Sequence, residues 1–375
     1  MKSPICDMLG IEFPLVAFTH CRDVVVEVSK AGGIGVLGAA GYDAQSLEVE
    51  LNWIDEHIDG KPYGVDLIAP NSMAAGEQDN SDSKLAQVPQ QHRDYAMDIL
   101  ASHDIDAGDI YQNQKGDMTA FLTAKQAGNI IDVAFSHPIK LIANALGVPP
   151  RYMLEMGKER GVAVAALVGA REHAALQVEA GVDILVVSGT EAGGHCGEVS
   201  TMVLVPEVCE TVKDSGVAVL AAGGIVTGKQ MAACMAMGAH GAWTGSMWLT
   251  TAEAETPPII KQKYVQASSR ETVRSKYRTG KYSRQLCSPW TEAWESEEAP
   301  KPLPMPIMSL VSEPALAKVG KLADGGHEGA KQLATYWVGQ GVGLMNAVQD
   351  TRTVVREFIE DYLEAVERLL GTLDE

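Results

Sequence analysis

Short, continuously apolar runs alternate with longer amphipathic ones along most of the chain. Phe13–Thr19 (FPLVAFT) reads as a strand, and Arg22–Gly32 carries helical spacing that ends in glycine. GIGVLGA follows as a strand, AQSLEVELNWIDEHI as a helix and PYGVDLIA as a third strand. From about residue 70 to residue 128 the chain turns polar and turn-rich, with one helix expected near Asp94–Ser102. The rhythm then resumes. IIDVAFS is expected as strand four, VAVAALV as five, VDILVVS as six and VAVLAAG as seven, and GAWTGSMWL closes the series as eight. The amphipathic segments PRYMLEMGKER, AREHAALQVEA, VPEVCETVKDS and GKQMAACMAMG lie between them as helices.

Strands that are apolar throughout, rather than alternating, are covered on both faces, as in a parallel sheet. Eight βα units in this order predict an α/β fold, a TIM (β/α)8 barrel with an insertion after strand three and a helical C-terminal extension. An open doubly wound sheet is the competing architecture. The barrel is expected in residues 1–69 and 129–255, with 70–128 as an insertion or lid. Residues 256–375 form the extension, a proline-rich connection (EEAPKPLPMPIM) followed by a terminal amphipathic helix.

The glycines separate into a decoy and a site. Gly33-x-Gly35-x-x-Gly38 matches a dinucleotide fingerprint in its letters, but it follows a helix and itself reads as a strand, and its first glycine reads as the cap of that helix. The later turns sit where a phosphate would bind. Gly223-Gly224 follow strand seven and Gly245-Ser246 follow strand eight. In TIM barrels these two loops often hold phosphate through backbone N–H groups, and glycine leaves room for it. The bland alternative is a pair of tight turns. With VDILVVS as strand six, GTEAGGHCG becomes its C-terminal loop, on the catalytic face. Gly193 and Gly194 let the backbone approach a ligand there. His195 points into the mouth as a candidate general acid or base, since imidazole titrates near neutrality.

Composition narrows the partners. Hydrophobic residues at 46% and charged residues at 21% fit an ordinary globule, and the net charge of −19 argues against nucleic acid or anionic membrane. The six cysteines (Cys6, Cys21, Cys196, Cys209, Cys234, Cys287) show no CxxC pair and no metal-ligand spacing, so they read as free thiols. The stretch MKSPICDMLGIEFPL lacks the apolar run of a secretory signal, and a cytoplasmic enzyme acting on a small molecule is expected. The extra cover over the mouth suits a lid, surface decoration or a homodimer contact equally well.

The motifs AGGIGVLGA, GTEAGGHCG and AAGGIVTGKQMAACMAMGAHGAWTGSMWL together resemble the nitronate monooxygenase family, once called 2-nitropropane dioxygenases. That group also includes FMN-dependent enoyl reductases and NADH:quinone reductases. The resemblance covers roughly Phe13–Gly64 and Ile130–Thr250, and its EAGGH and AGGI motifs mark the superfamily more than the reaction. It implies a TIM barrel holding one non-covalent FMN. Carried over by motif, Gly193, Gly194, Gly223, Gly224, Gly245 and Ser246 would surround the FMN phosphate. Ala17, Phe18 and Thr19 would lie against the flavin ring with Asp66 near it, and His195 would be the catalytic histidine. No metal is implied.

The chain departs from the family on the flavin and substrate side. AFTH stands where a Pro-Met pair is usual after strand one, and Ser188 where glutamine is usual before the EAGGH loop. Asp66 stands where asparagine is common, and Gly-Ser-Met replaces Gly-Thr-Arg after strand eight. The resemblance therefore carries FMN further than any substrate. His137 in AFSHP is expected to end strand four, and His20 ends strand one; each reads equally as a substrate contact or a plain loop residue. Cys196 has no base aimed at it and reads as structural, and Trp243, Met247 and Trp248 read as barrel packing.

Three functions compete. The first is oxidation of nitronates and nitroalkanes with O₂, His195 acting as base on the neutral nitroalkane. The alternative is an NAD(P)H-dependent reductase of an enoyl thioester, such as an enoyl-CoA, or of a quinone. The third is a flavin-binding protein without turnover, whose sign would be loss of the catalytic histidine; His195 is present.

Overall fold

The computed structural model describes residues 1–69, 87–111 and 124–373. Residues 70–86 and 112–123 of the expected insertion lie outside the described residues. Eight parallel strands close into a barrel, which confirms the TIM architecture and excludes the open sheet. They are β1 (Leu15–Thr19), β2 (Ile34–Gly38), β3 (Tyr63–Leu67), β4 (Leu141–Asn144), β5 (Ala163–Val168), β6 (Ile184–Ser188), β8 (Ala218–Ala222) and β9 (Gly241–Thr244). A two-residue strand, β7 (Gly194–His195), leaves the barrel between β6 and β8.

Strand alternation sorts the apolar residues into two layers. Val16, Ile34, Val36, Leu141, Ala143, Ile184, Val186 and Leu220 fill the barrel. Val65, Leu67 and Ile142 point outward against Leu47, Leu51 and Ile54 of the helix Ala44–His57. The fingerprint-like glycines belong to this packing. A Cβ on Gly35 would lie 2.4 Å from the Val25 carbonyl oxygen, so glycine there lets a helix sit close on β2. The left-handed residue ending that helix is Gly32 (φ 98°), not Gly33.

One expected strand is a helix. IIDVAFS belongs to the helix Ala124–Ser136, and strand four begins later, at Leu141. Ile130, Ile131, Ala134 and Phe135 are buried while Asp132 and Ser136 are exposed, a helical repeat hidden inside an apolar run. The true β4, LIAN, is only four residues long and ends in a buried asparagine. Asn144 accepts from the Ala69 amide at 2.9 Å and donates to the Ala69 carbonyl at 3.2 Å, tying β4 to the end of β3.

The C-terminal extension is more than a connection and a helix. It contains an antiparallel hairpin, β10 (Thr272–Ser275) and β11 (Ser283–Leu286), as well as the helices Pro258–Gln266, Ser309–Asp324 and Thr351–Leu370. The last helix docks on the barrel helix Gly228–Ala236, where the Lys229 amide donates to the Asp361 carboxylate at 3.0 Å. No helix among the described residues is long and apolar enough to cross a membrane.

That docking depends on a missing side chain. A Cβ on Gly228 would lie 1.9 Å from the Phe358 carbonyl oxygen and 2.4 Å from the Tyr362 nitrogen. Gly228→Ala must therefore force the two helices apart, at a cost of about 1–3 kcal/mol for overpacking. Urea denaturation should show that loss, and an unchanged midpoint would mean the terminal helix does not rest there.

Candidate active site

The C-terminal ends of the barrel strands gather most of the residues expected at the site. Of the three residues expected on β1 only Phe18 faces inward; Ala17 and Thr19 point to the helix layer, and the Thr19 hydroxyl accepts from the Cys21 amide at 3.1 Å. Phe18 stacks on Trp243 at 6.3 Å and meets the His20 ring edge-on at 5.1 Å. His20 is exposed, and its Nδ1 donates to the Gly38 carbonyl at 3.1 Å, since a carbonyl can only accept. That leaves Nε2 open at the mouth. Met247 and Trp248 are buried packing residues.

Asp66 points into the barrel, because its neighbours Val65 and Leu67 pack outward. It is only 5% exposed, and its Oδ1 has no hydrogen-bond partner. Burial pushes its pKa up to about 8, opposed only by a hydrogen bond from the Leu67 backbone. Orphaned buried carboxyl oxygens are costly, so this one is aimed at something the folded chain does not itself supply. Ser188, at the end of β6, is half-buried.

The glycine turns are of two kinds. Gly193, Gly223 and Gly224 are needed for contacts within the chain. Their Cβ atoms would meet the Val338–Gly339 backbone at 2.7 Å, the Thr201 Oγ1 at 2.8 Å and the Glu191 Cβ at 2.9 Å. Gly194 and Gly245 differ. A Cβ on Gly194 would meet nothing within 4 Å, and one on Gly245 only the Phe18 ring at 3.9 Å. Open space at these two positions is room for a ligand. Ser246 is already engaged, its hydroxyl accepting from the Gly339 amide at 2.8 Å.

The segment Trp337–Leu344 is the part that sequence reasoning missed. The Gln340 amide donates to the Glu191 carbonyl at 2.8 Å, and a Cβ on Gly341 would lie 2.6 Å from the Gly224 carbonyl oxygen. It therefore wedges between the β6, β8 and β9 loops. Its signal was the alternation Gly339-x-Gly341-x-Gly343 in WVGQGVGL.

His195 is held from outside the barrel. β7 pairs antiparallel with β11, placing His195 opposite Ser283 and Gly194 opposite Arg284. The buried Arg284 clamps this join, donating from Nε and a terminal nitrogen to the Thr190 carbonyl at 3.2 and 3.0 Å. His195 Nε2 lies 2.8 Å from the Thr279 hydroxyl, which leaves Nδ1 unbonded. The residue presents surface to the mouth, yet the groups packed around it strip enough water to lower its pKa, with Lys281 and then Arg278 adding to the effect. The imidazole is therefore neutral at neutral pH and able to accept a proton. Trp337 stands 6.3 Å from it, and the Arg278 guanidinium lies 3.9 Å over the Trp337 ring.

Two expectations resolve differently. His137 is not brought to the mouth. Because strand four starts at Leu141, His137 sits at the opposite, N-terminal end of the barrel, its Nδ1 2.6 Å from Asp55 and its Nε2 3.3 Å from Glu48. Cys196 is a half-buried free thiol whose pKa is raised by burial against the pull of Arg274 and Arg284, which suits a structural role. Among the described residues no group of side chains could hold a metal ion.

The Asp66 shift has a signed consequence for stability. An ordinary aspartate titrates near 3.9, so between about pH 4 and pH 8 the folded chain keeps a proton that the unfolded chain has lost. Asp66 therefore costs stability progressively as pH rises through that window, by about 1.4 kcal/mol per pH unit. Asp66→Asn removes the cost. Urea unfolding of the flavin-free protein at pH 5 and pH 7.5 should show the variant gaining on wild type at the higher pH. A pH-independent difference would mean that the carboxyl is ionised in the fold.

A family model described as nitronate monooxygenase matches residues 2–361. A Mycobacterium tuberculosis protein with a provisional monooxygenase name is 46% identical over 374 residues, covering 99% of each chain. A Staphylococcus aureus protein provisionally named nitronate monooxygenase is 23% identical, over 92% of each chain. Among solved structures, a nitroalkane oxidase from Streptomyces ansochromogenes superposes with a TM-score of 0.78 at 22% identity, covering 97% of this chain and 99% of that one. FabK from Thermotoga maritima gives 0.73 at 25% identity, covering 99% of both. With a closed barrel, a histidine at its catalytic rim and a family match along nearly its whole length, the chain belongs to the nitronate monooxygenase family and is an oxidoreductase.

Proposed function

We propose that the protein is an FMN-dependent oxidoreductase that oxidises nitronates, and nitroalkanes by way of them, with O₂ as electron acceptor. The observation that carries this reading is His195, a neutral imidazole with a free nitrogen, fixed at the barrel rim that it shares with the orphaned carboxyl of Asp66. The residues present fit the flavin. Gly194 and Gly245 leave room at the turns, Phe18 offers a flat inward surface, and Asp66 offers an unused polar atom inside the barrel. Bound FMN would supply the redox chemistry, taking electrons from the nitronate and passing them to O₂.

The chain's own groups account for the rest. His195 Nδ1 can accept the α-proton of a neutral nitroalkane, leaving the nitronate anion. Burial above all, helped by Lys281 and Arg278, keeps the imidazole neutral beforehand, and the exposed Lys281 also favours an anion beside it. Below about pH 8 the Asp66 carboxyl is largely protonated and can donate a hydrogen bond, as an asparagine amide would.

A second reading, NAD(P)H-dependent reduction of an enoyl thioester, draws support from Lys276 and Lys281. Both are exposed near the His195 strand, and neither has a carboxylate partner among the described residues. Such cations suit a phosphorylated carrier. Anaerobic mixing separates the two readings. Bleaching of the flavin by a nitronate alone supports the monooxygenase; bleaching by NADPH or NADH, with none by nitronate, replaces it with the reductase.

Two variants test the assignment of parts. His195→Asn should stay yellow and lose about 10²- to 10⁴-fold in turnover of a neutral nitroalkane, the usual worth of general base catalysis. Its loss on the preformed nitronate should be smaller, since no proton then has to leave; equal losses on both would remove His195 from the proton step. Gly245→Val puts a branched side chain into open space, so the protein should fold but fail to retain FMN on gel filtration. Full flavin retention would place the phosphate elsewhere.

A further inference from the structure

A cavity of about 390 Å³ lies beside the barrel mouth, between the end of β1 and the helix Ser309–Asp324. It is separate from the glycine turns: neither Asp66 nor Ser188, Gly194, Gly224 or Gly245 lines it. Its size falls within the range of small-molecule sites. Leu249, Ile259, Leu316 and Val319 give it apolar walls, and His20 joins it to the mouth, where the same ring meets Phe18 edge-on.

Of the charged residues on its wall, Arg278 and Glu313 are committed to each other, while the carboxylates of Glu255 and Asp324 are exposed. Arg278 is buried, with Nε donating to Glu313 at 2.8 Å, a terminal nitrogen donating to Gln285 at 3.0 Å, and its face against Trp337. The guanidinium thus closes the cavity on the His195 side without offering a free charge to an occupant. Beside it, the walls of Leu249, Ile259, Leu316 and Val319 suit an apolar occupant, and the carboxylates of Glu255 and Asp324 disfavour an anionic one.

Gly320 shows that the space is kept open. It sits inside the helix Ser309–Asp324 at ordinary helical φ, where glycine weakens a helix relative to alanine. A Cβ there would meet nothing within 4 Å, although Gly320 lines the cavity together with the bulky Leu316 and Val319 of the same helix. Neither a left-handed φ nor a close approach calls for glycine at this position. The remaining physical effect of the missing side chain is room in the cavity.

We propose that this cavity receives an alkyl chain carried by the substrate, so that the preferred substrate is a nitronate with a chain of several carbons rather than that of the smallest nitroalkanes. The proposal rests on the reading of the site as a nitronate oxidase. Its geometric part, a chain-binding cavity walled by Gly320, stands without it.

The test uses the flavin-loaded protein, with Gly320→Phe to fill the cavity and Gly320→Ala as a control that strengthens the helix. Over the series from ethyl nitronate to octyl nitronate, wild-type kcat/KM should climb by about fourfold for each of the first buried methylenes. Gly320→Phe should flatten the climb, losing about tenfold or more on octyl nitronate while staying within about twofold on ethyl nitronate. Gly320→Ala should keep the climb and melt at a higher temperature. A climb that survives in Gly320→Phe, or no climb in wild type, overturns the proposal.

Calorimetric titration with 1-octanol and 1-propanol, which carry no reacting centre, reads the cavity apart from the chemistry. Octanol binding that is lost in Gly320→Phe supports the cavity even where nitronates leave the flavin oxidised, an outcome that would count only against the nitronate reading. Octanol binding equally well to wild type and Gly320→Phe overturns the chain site whatever the nitronates do.

Discussion

The site depends on a few main-chain hydrogen bonds between Gly194–His195 and the hairpin strand Ser283–Leu286. A glycine-rich loop at a barrel rim has little of its own to hold one side chain in one direction. Pairing with a strand removes that freedom, because a slip of one residue in register would turn the histidine to the other face. The Cys196 amide continues the join to the Tyr282 carbonyl at 3.3 Å, and further along β11 Gln285 pairs with Trp337. One strand of the extension thus sets the positions of both His195 and the aromatic ring beside it. The barrel provides the mouth, and the extension provides the orientation.

The same arrangement governs the charge at the site. Arg278 and Lys281 belong to the hairpin connection, and their closeness to the imidazole follows from the strand register rather than from any contact within the barrel. Burial does most to hold the imidazole neutral, and the cations of this short hairpin add to it. Asp66 contributes the complementary feature from β3, a carboxyl whose pKa burial raises to about 8.

Much of this was legible in the chain. Continuous apolar strands such as VDILVVS and VAVLAAG announce a parallel sheet covered on both faces, and the count of eight held although one member was misplaced. IIDVAFS misled because a short apolar run looks alike in a buried helix and a buried strand, while LIAN was too short to register. His137 was misplaced with it, for it had been read from the wrong end of a strand. The glycines were legible as a group, but not the chain contacts that some of them make. Gly193, Gly223 and Gly224 are shaped by neighbours that arrive from distant sequence, among them Glu191, Thr201 and Val338. Local pattern contains no trace of such long-range packing, and the hairpin at Thr272–Leu286 was hidden for the same reason.

The central claim, that the hairpin holds His195 as a neutral imidazole, is tested most directly by NMR titration of its imidazole ¹³Cε1 resonance. The account predicts a midpoint below that of an ordinary histidine, moving up toward it in Lys281→Ala as one flanking cation is removed. A midpoint at or above the ordinary value, unmoved by Lys281→Ala, would contradict it.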